Sequence, residues 1–248
     1  MWESLWFVVL GLSMGVLGGL FGIGGGLIAI PVLGVAFGLD QQMAQGTALV
    51  MVVPNVLLAV WRYHQRNRID LRQAAALATP AFFCAILGST WAVSLDAARM
   101  RVAFAGFLLA LAVYTLVRAA RRTPAQGPLR HGWPWLVPVG VLAGLTGGLF
   151  AVGGGVIAVP VLTALFGASQ VVAQGLALGL AAPSTLVALV TYGWHGEVLW
   201  SVGIPLALGG ICSISLGVRL AHSLPEPLLK GLYALFLVGS AILLLVKG

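Results

Sequence analysis

The segment GGLFGIGGGLIAIPVL, Gly18 to Leu33, occurs a second time as GGLFAVGGGVIAVPVL, Gly147 to Leu162. Twelve of the sixteen positions are identical, and the other four exchange Gly for Ala or one aliphatic residue for another. Any fold of this chain must therefore accommodate a run of helix-weakening glycines, with a proline behind it, in two places. The register persists at a constant offset of 129 residues. Phe37-Gly38 meets Phe166-Gly167, Gln45-Gly46 meets Gln174-Gly175, Pro54 meets Pro183, Tyr63 meets Tyr192, and Leu87-Gly88 meets Leu216-Gly217. So long a register marks a duplication. The longest polar segment, RAARRTPAQGPLRHG from Arg118 to Gly132, reads as the join. The expected division is a first half-repeat over 1–120, a linker over 121–132 and a second half-repeat over 133–248.

Charge sets the solvent. Only 8% of the residues are charged and 60% are hydrophobic, against roughly 25% charged in soluble domains. Such a chain cannot cover a water-facing surface. It offers about eight apolar stretches near the roughly 20 residues that a spanning helix needs. The net charge is +7, but the basic residues fall in gaps between apolar runs rather than along one helical face. That pattern points to membrane topology, not to nucleic acid. The N-terminal MWESLWFVVL has no Lys or Arg and lacks the basic region of a cleaved signal, so it reads as the start of the mature protein. Cys84 and Cys212 fall within apolar segments and are expected to pack there as small hydrophobes, with a thiol role left open.

The glycines interrupt a stretch that is too long for one crossing. Leu5–Gly38 is 34 residues, roughly 51 Å as one helix against a hydrocarbon core of roughly 30 Å. Gly24-Gly25-Gly26 is the expected break, because each glycine costs up to about 1 kcal/mol in a helix relative to alanine. Pro31 suits the start of a new half-helix. Gly153-Gly154-Gly155 and Pro160 repeat the pattern in Trp133–Gly167. Three plainer apolar segments follow each broken stretch, at about 42–61, 73–95 and 100–120, then 170–191, 198–218 and 227–246. A break at membrane depth frees backbone groups that lipid cannot satisfy, so it must be buried or line a polar cavity. The half-helix after the glycines turns its N–H groups toward that cavity, which suits an anion. Two matched breaks are the mark of a transporter site. Close helix packing is the competing use of the glycines. A dinucleotide fingerprint would need a strand before FGIGGG, and none is suggested.

If each broken stretch is a hairpin that enters and leaves on one face, each half crosses three times and the halves are inverted. With the N-terminus outside, ten basic residues (Arg62, Arg66, Arg68, Arg72, Arg118, Arg121, Arg122, Arg130, Arg219 and Lys230) face the cytoplasm. Three, Arg99, Arg101 and Lys247, do not. The basic linker is then cytoplasmic.

No carboxylate, Lys or Arg lies mid-membrane, so no charged proton relay is visible. The neutral polar residues are Gln45, Thr47 and Asn55 near Pro54, and Gln174, Ser184 and Thr185 near Pro183. Gln45 and Gln174 are repeat-equivalent. They either bond neighbouring helices or donate to a bound anion beside the glycines. His195, in TYGWHGEV, is the candidate gating or proton-linked residue. The histidines lack metal-ligand spacing, and no cofactor is called for.

The doubled G-G-x-x-G-x-G-G-G segment followed by proline resembles the sulfite exporter TauE/SafE family, also called the toluene-sulfonate uptake permease family. It reads Gly18-Gly19 to Gly26 with Pro31, and the second copy departs at Ala151, where the first has Gly22. The Gln-Gly pairs and the short basic linker match as well. The resemblance implies an inner-membrane secondary carrier of sulfite, thiosulfate, sulfonates or other organic anions. It fixes neither substrate, direction, coupling ion (proton or sodium) nor homo-oligomeric state.

The expected protein is an all-α, polytopic carrier in the lipid bilayer for a small anionic substrate. It has two internally repeated halves, each a Gly-broken helical hairpin plus three transmembrane helices. Gly24, Gly25, Gly26, Gly153, Gly154 and Gly155, with Gln45 and Gln174, are the candidate substrate-binding residues. Pro31, Pro54, Pro160 and Pro183 would shape the helices. A passive anion channel on the same scaffold is the alternative. An intramembrane enzyme using Ser184 and His195 is disfavoured, because eleven residues of helix rise about 16 Å.

Overall fold

The computed structural model describes residues 2–21, 24–67, 70–120, 132–168, 170–224 and 226–247. Most of the linker, 121–131, lies outside them, as do Gly22 and Arg68. Among the described residues the secondary structure is helical. The first half holds α1 (Trp2–Phe21), α2 (Gly26–Ala36), α3 (Gln41–Asn67), α4 (Leu71–Ser94) and α5 (Ala97–Ala120). After a 3₁₀ turn at Trp133–Trp135 come α6 (Leu136–Phe150), α7 (Gly155–Leu165), α8 (Gln170–Trp194), α9 (Trp200–Ser223) and α10 (Glu226–Lys247). Both halves read long helix, short helix, three long helices. Six stretches, in α3, α4, α5, α6 with its preceding turn, α8 and α9, are long and apolar enough to cross a bilayer.

The few carboxylates start helices. The Asp40 side chain accepts from Met43 N at the head of α3, Asp70 from Arg72 N at α4, and Asp96 from Arg99 N at α5. Each answers one of the N–H groups a helix leaves unpaired. α2 and α7 differ: they begin after Gly25 and Gly154, and no side chain caps them.

Neither half packs by itself. α1 lies along α9, and α6 lies along α4. Gly11 abuts Leu206, Gly15 abuts Gly210 and Ser213, and Gly217 abuts Val16 and Leu20, so α1 and α9 run in the same direction. Gly140, Gly144 and Gly148 abut Leu77, Ala81 and Ala85 in the same order, so α6 and α4 are parallel too. Glycines four apart lie on one helix face, and small residues let backbones touch where lipid supplies no hydrophobic drive. These glycines make the close contacts between the crossed helix pairs.

Aromatic rings repeat the exchange. Phe21, closing α1, lies 5.1 Å from Tyr233 and 6.3 Å from Phe236 on α10. Phe150, closing α6, lies 5.7 Å from Phe104 and 4.6 Å from Phe107 on α5. Every residue in the second trio stands 129 positions from its counterpart in the first.

Helix directions follow from the contacts. Val50 meets Gly203, and Met51 and Asn55 meet Gly210, so α3 runs with α9 and therefore with α1. α2, between two parallel helices, must carry the chain back to the face it entered. On the other side, Ala143 and Leu180 both border Gly154, and the Tyr192 hydroxyl reaches Leu149, so α6 runs with α8. α3 and α8 are antiparallel, with Gln45 at Tyr192 and Val52 and Val56 packed with Ala181.

Two expectations need correction. Cys212 is exposed and Cys84 half-buried. Cys212 sits on α9 beside exposed Ile211, while Gly210 and Ser213 face α1. Pro54 and Pro183 break nothing: α3 and α8 run through them. A proline removes one N–H bond, and tight packing on neighbouring helices holds the rest.

Candidate functional site

The two glycine blocks interrupt helices as expected. Gly24 and Gly25 have φ of 68° and 94°, and Gly153 and Gly154 have 76° and 67°. Gly25 and Gly154 cap α2 and α7 in a left-handed conformation that costs an L-residue roughly 1–2 kcal/mol. Space also demands glycine. A Cβ on Gly154 would overlap the Ala143 carbonyl oxygen, and one on Gly25 would meet Met51 Cε at 2.9 Å. Ala151 closes α6 at φ 57°, and Val152 N donates to Gly147 O at 3.2 Å. Among the described residues it is the non-glycine with positive φ, so strain is held at this break. Pro31 and Pro160 sit in the second turn of α2 and α7, one turn deeper than the first helical position.

The structure brings the breaks together. A Cβ on Gly26 would stand 3.3 Å from Ala151 O and 3.9 Å from Val152 Cα. The start of α2 thus faces the backbone of the second break. Beside it lies a cleft of about 10 Å³, lined by Val56, Val152, Gly155, Val156, Ala177, Leu178 and Ala181. That is room for about one water. The sequence reading expects a polar cavity. The walls are instead aliphatic, and the polar groups nearby are backbone. An oxyanion of several heavy atoms does not fit a cleft of that size.

Asn55 and Ser184, repeat-equivalent and fully buried, reach the breaks. Asn55 Nδ2 donates to Gly24 O at 3.3 Å, and Ser184 Oγ to Gly153 O at 3.4 Å. The sequence places both beside prolines, and their shared offset from the glycines is the signal that could have singled them out. Gln45 is not at the first break. It lies seven residues before Val52, roughly 10 Å of helix rise from where Gly24 and Gly26 pack. There the Tyr192 hydroxyl contacts Gln45 Oε1 at 2.8 Å and Leu149 O at 3.1 Å, leaving buried Gln45 Nε2 without a partner. Gln174 is half-buried on α8, one turn before Ala177 of the cleft.

Around Gln45 the chain forms a seal. Leu199 N donates to Thr47 Oγ1 at 3.0 Å, and Gly46 lies against the Glu197 carbonyl. His195 is exposed in the same loop, with Nδ1 2.8 Å from Thr191 O. Burial, and then Asp40, push the Glu197 carboxyl above the ordinary carboxylate range, while His195 pulls it down. Tyr192→Phe is expected to strand the buried Gln45 amide. It should cost about 1–3 kcal/mol, seen as a lower melting temperature in detergent. An unchanged melting temperature would show that the hydroxyl holds nothing.

Comparison with known proteins agrees with this architecture. The profile of the sulfite exporter TauE/SafE family matches residues 7–244. A probable membrane transporter protein of Xylella fastidiosa (strain Temecula1) is 28% identical over 241 residues, covering 94% of this chain and 90% of that one. One from Methanocaldococcus jannaschii is 26% identical, covering 81% and 78%. One from Bacillus subtilis is 23% identical, covering 86% of each. With helices long and apolar enough to cross repeatedly, and a match along nearly its whole length, this chain is a multi-pass membrane transporter that belongs to the sulfite exporter TauE/SafE family.

Proposed function

We propose that the protein is a secondary carrier moving a small sulfur-containing or organic anion, of the sulfite, thiosulfate or sulfonate type, across the cytoplasmic membrane. The observation that carries this reading is the meeting, inside the bundle, of two interrupted helices whose second segments start without a side-chain cap. The starts of α3, α4 and α5 have aspartates, whereas α9, outside the breaks, also begins without a side-chain cap. Uncapped N–H groups and the positive helix end favour a negative ligand. Gly24, Gly25, Gly26, Gly153, Gly154 and Gly155 form the centre of that site.

The halves are inverted repeats in this reading. Opposite directions of α1 and α3 against α6 and α8 support it, and so does the reciprocal ring packing. The N-terminus is outside and the basic linker in the cytoplasm, as the positive-inside rule favours. Transport proceeds by alternating access. The moving bodies are not residues 1–120 against 133–248, because that would part α1 from α9 and α6 from α4. They keep the crossed pairs intact, α1 with α9 and α4 with α6, and open beside α3 and α8, which border the cleft. Gln45, Thr47 and the loop bearing His195 close the outer end, and Gln174 lies toward the inner one.

A narrow aliphatic cleft suits a gated carrier better than an open pore. The test is a thermal-shift panel of purified protein with sulfite, thiosulfate, sulfonates and carboxylates, followed by counterflow in proteoliposomes. Saturable uptake with counterflow of a binding anion is expected. Binding without counterflow would indicate a channel, and no stabilisation by any anion would remove the reading.

A further inference from the structure

A broken helix exposes two kinds of group. The segment that ends presents carbonyl oxygens, and the segment that begins presents N–H groups. An anion is drawn to the second and repelled by the first. A site built from helix breaks therefore has to remove its carbonyls. We infer that Asn55 and Ser184 are positioning residues that take part in this, holding the Gly24 and Gly153 carbonyls away from the ligand. The inference rests on the anion reading above.

The placement is matched in both halves. Each side chain is fully buried, each comes from the long helix that follows its own half-helix, and each points at the carbonyl one residue before the cap glycine. A trans peptide sets C=O and N–H in opposite directions. Turning the Gly24 carbonyl toward α3 therefore turns Gly25 N toward α1. There it lies so close that a Cβ on Gly18 would stand 2.6 Å from it. Gly154 N meets Gly147 in the same way. Each break peptide thus has a side-chain donor at its carbonyl and a closely packed helix against its N–H side.

Asn55 carries a cost that a packing residue would not. Its Oδ1 is buried and has no hydrogen-bond partner, while the amide edge lies against Gly210. Leucine has similar branching and no orphaned oxygen, but it would leave the buried Gly24 carbonyl without its donor. The two clamps are also unequal. Gly153 O receives Gly155 N at 2.8 Å in addition to Ser184, and Ser184 Oγ also reaches Leu180 O and Ala181 O. Asn55 is the more critical of the pair.

The experiment measures the affinity of the purified full chain for whichever of sulfite, thiosulfate or a sulfonate stabilises the wild type, with KM and Vmax in proteoliposomes. Asn55→Leu strands the Gly24 carbonyl and is expected to melt below the wild type while remaining folded, and to bind about tenfold more weakly, with KM raised and Vmax largely kept. Asn55→Ser, which copies the second half, should recover part of the affinity. Ser184→Ala removes one atom and is safe for folding; it should raise KM about two- to threefold. Wild-type KM in both Asn55→Leu and Ser184→Ala would overturn the clamp while leaving the anion reading intact. Equal losses in Asn55→Leu and Asn55→Ser would overturn it too, by showing that shape rather than the donor matters. A wild type that binds no anion would overturn the anion reading, and the clamp with it, before any variant is made.

Discussion

Leucine at Gly154 is expected to abolish anion binding and transport in a protein that still inserts in the membrane. Two costs combine there. The left-handed backbone, φ 67°, disfavours any side chain by roughly 1–2 kcal/mol. A Cβ would also overlap the Ala143 carbonyl oxygen, stand 2.8 Å from Ala143 C and lie 3.1 Å from Leu180 Cδ1. The first neighbour is backbone and cannot rotate aside. Relief comes only by moving the break, which re-aims the start of α7. Overpacking of this kind costs about 1–3 kcal/mol, so the combined change corresponds to a loss of at least about thirtyfold. Gly25→Ala should be milder, because its nearest obstacle at 2.9 Å is the flexible Met51 methyl. The measurement is the anion-induced thermal shift and proteoliposome uptake, with size-exclusion chromatography confirming a folded sample. Wild-type binding by Gly154→Leu would remove the glycines from the site.

Leucine at Gly144 should act differently, by preventing a stable fold. Gly144 is at the centre of the α4–α6 seam, where a Cβ would overlap the Ala81 Cα and carbonyl oxygen and reach Ala81 C at 2.8 Å. No flexible side chain is there to yield. The helices would have to part along a seam that also holds Gly140 against Leu77 and Gly148 against Ala85. Contacts of this kind are what holds helices together in lipid, so a cost above about 3 kcal/mol is expected. Such a cost is a large share of a domain's whole stability. Gly106→Leu is the control, since nothing lies within 4 Å of a Cβ there. Gly144→Leu is expected to give little monodisperse protein in detergent, and Gly106→Leu a wild-type yield. Equal yields would show that the seam is loose.

The breaks at Gly24–Gly25 and Gly153–Gly154 were legible in the sequence because their signal is local. Adjacent glycines, a following proline and excess length all act within a few residues. The helix starts at Asp40, Asp70 and Asp96 are local in the same way. What was not legible depends on partners far along the chain. Gly11 and Gly15 read as weak points of an apolar run, and nothing in their neighbourhood names Leu206 or Gly210 as the reason for them. Gln45 looked like a companion of the first break because it follows that break in sequence. Its contacts are with Tyr192 and Leu149 of the other half. Asn55 and Ser184 were noticed for the prolines beside them, whereas their partners are the carbonyls 31 residues earlier. Pro54 and Pro183 signal a break in sequence that the fold does not make, since a continuous helix tolerates one missing bond.

The crossed pairing of α1 with α9 also constrains how the protein is made. α1 leaves the ribosome well before α9, and the surface it fits does not begin until Trp200. Its glycine face must wait in the bilayer, bare of its mate, through most of translation. α4 waits a shorter time, until α6 arrives. Biogenesis cannot then proceed by finishing one half and adding the other. The first half's α1 reaches its native partner only once α9 has been made.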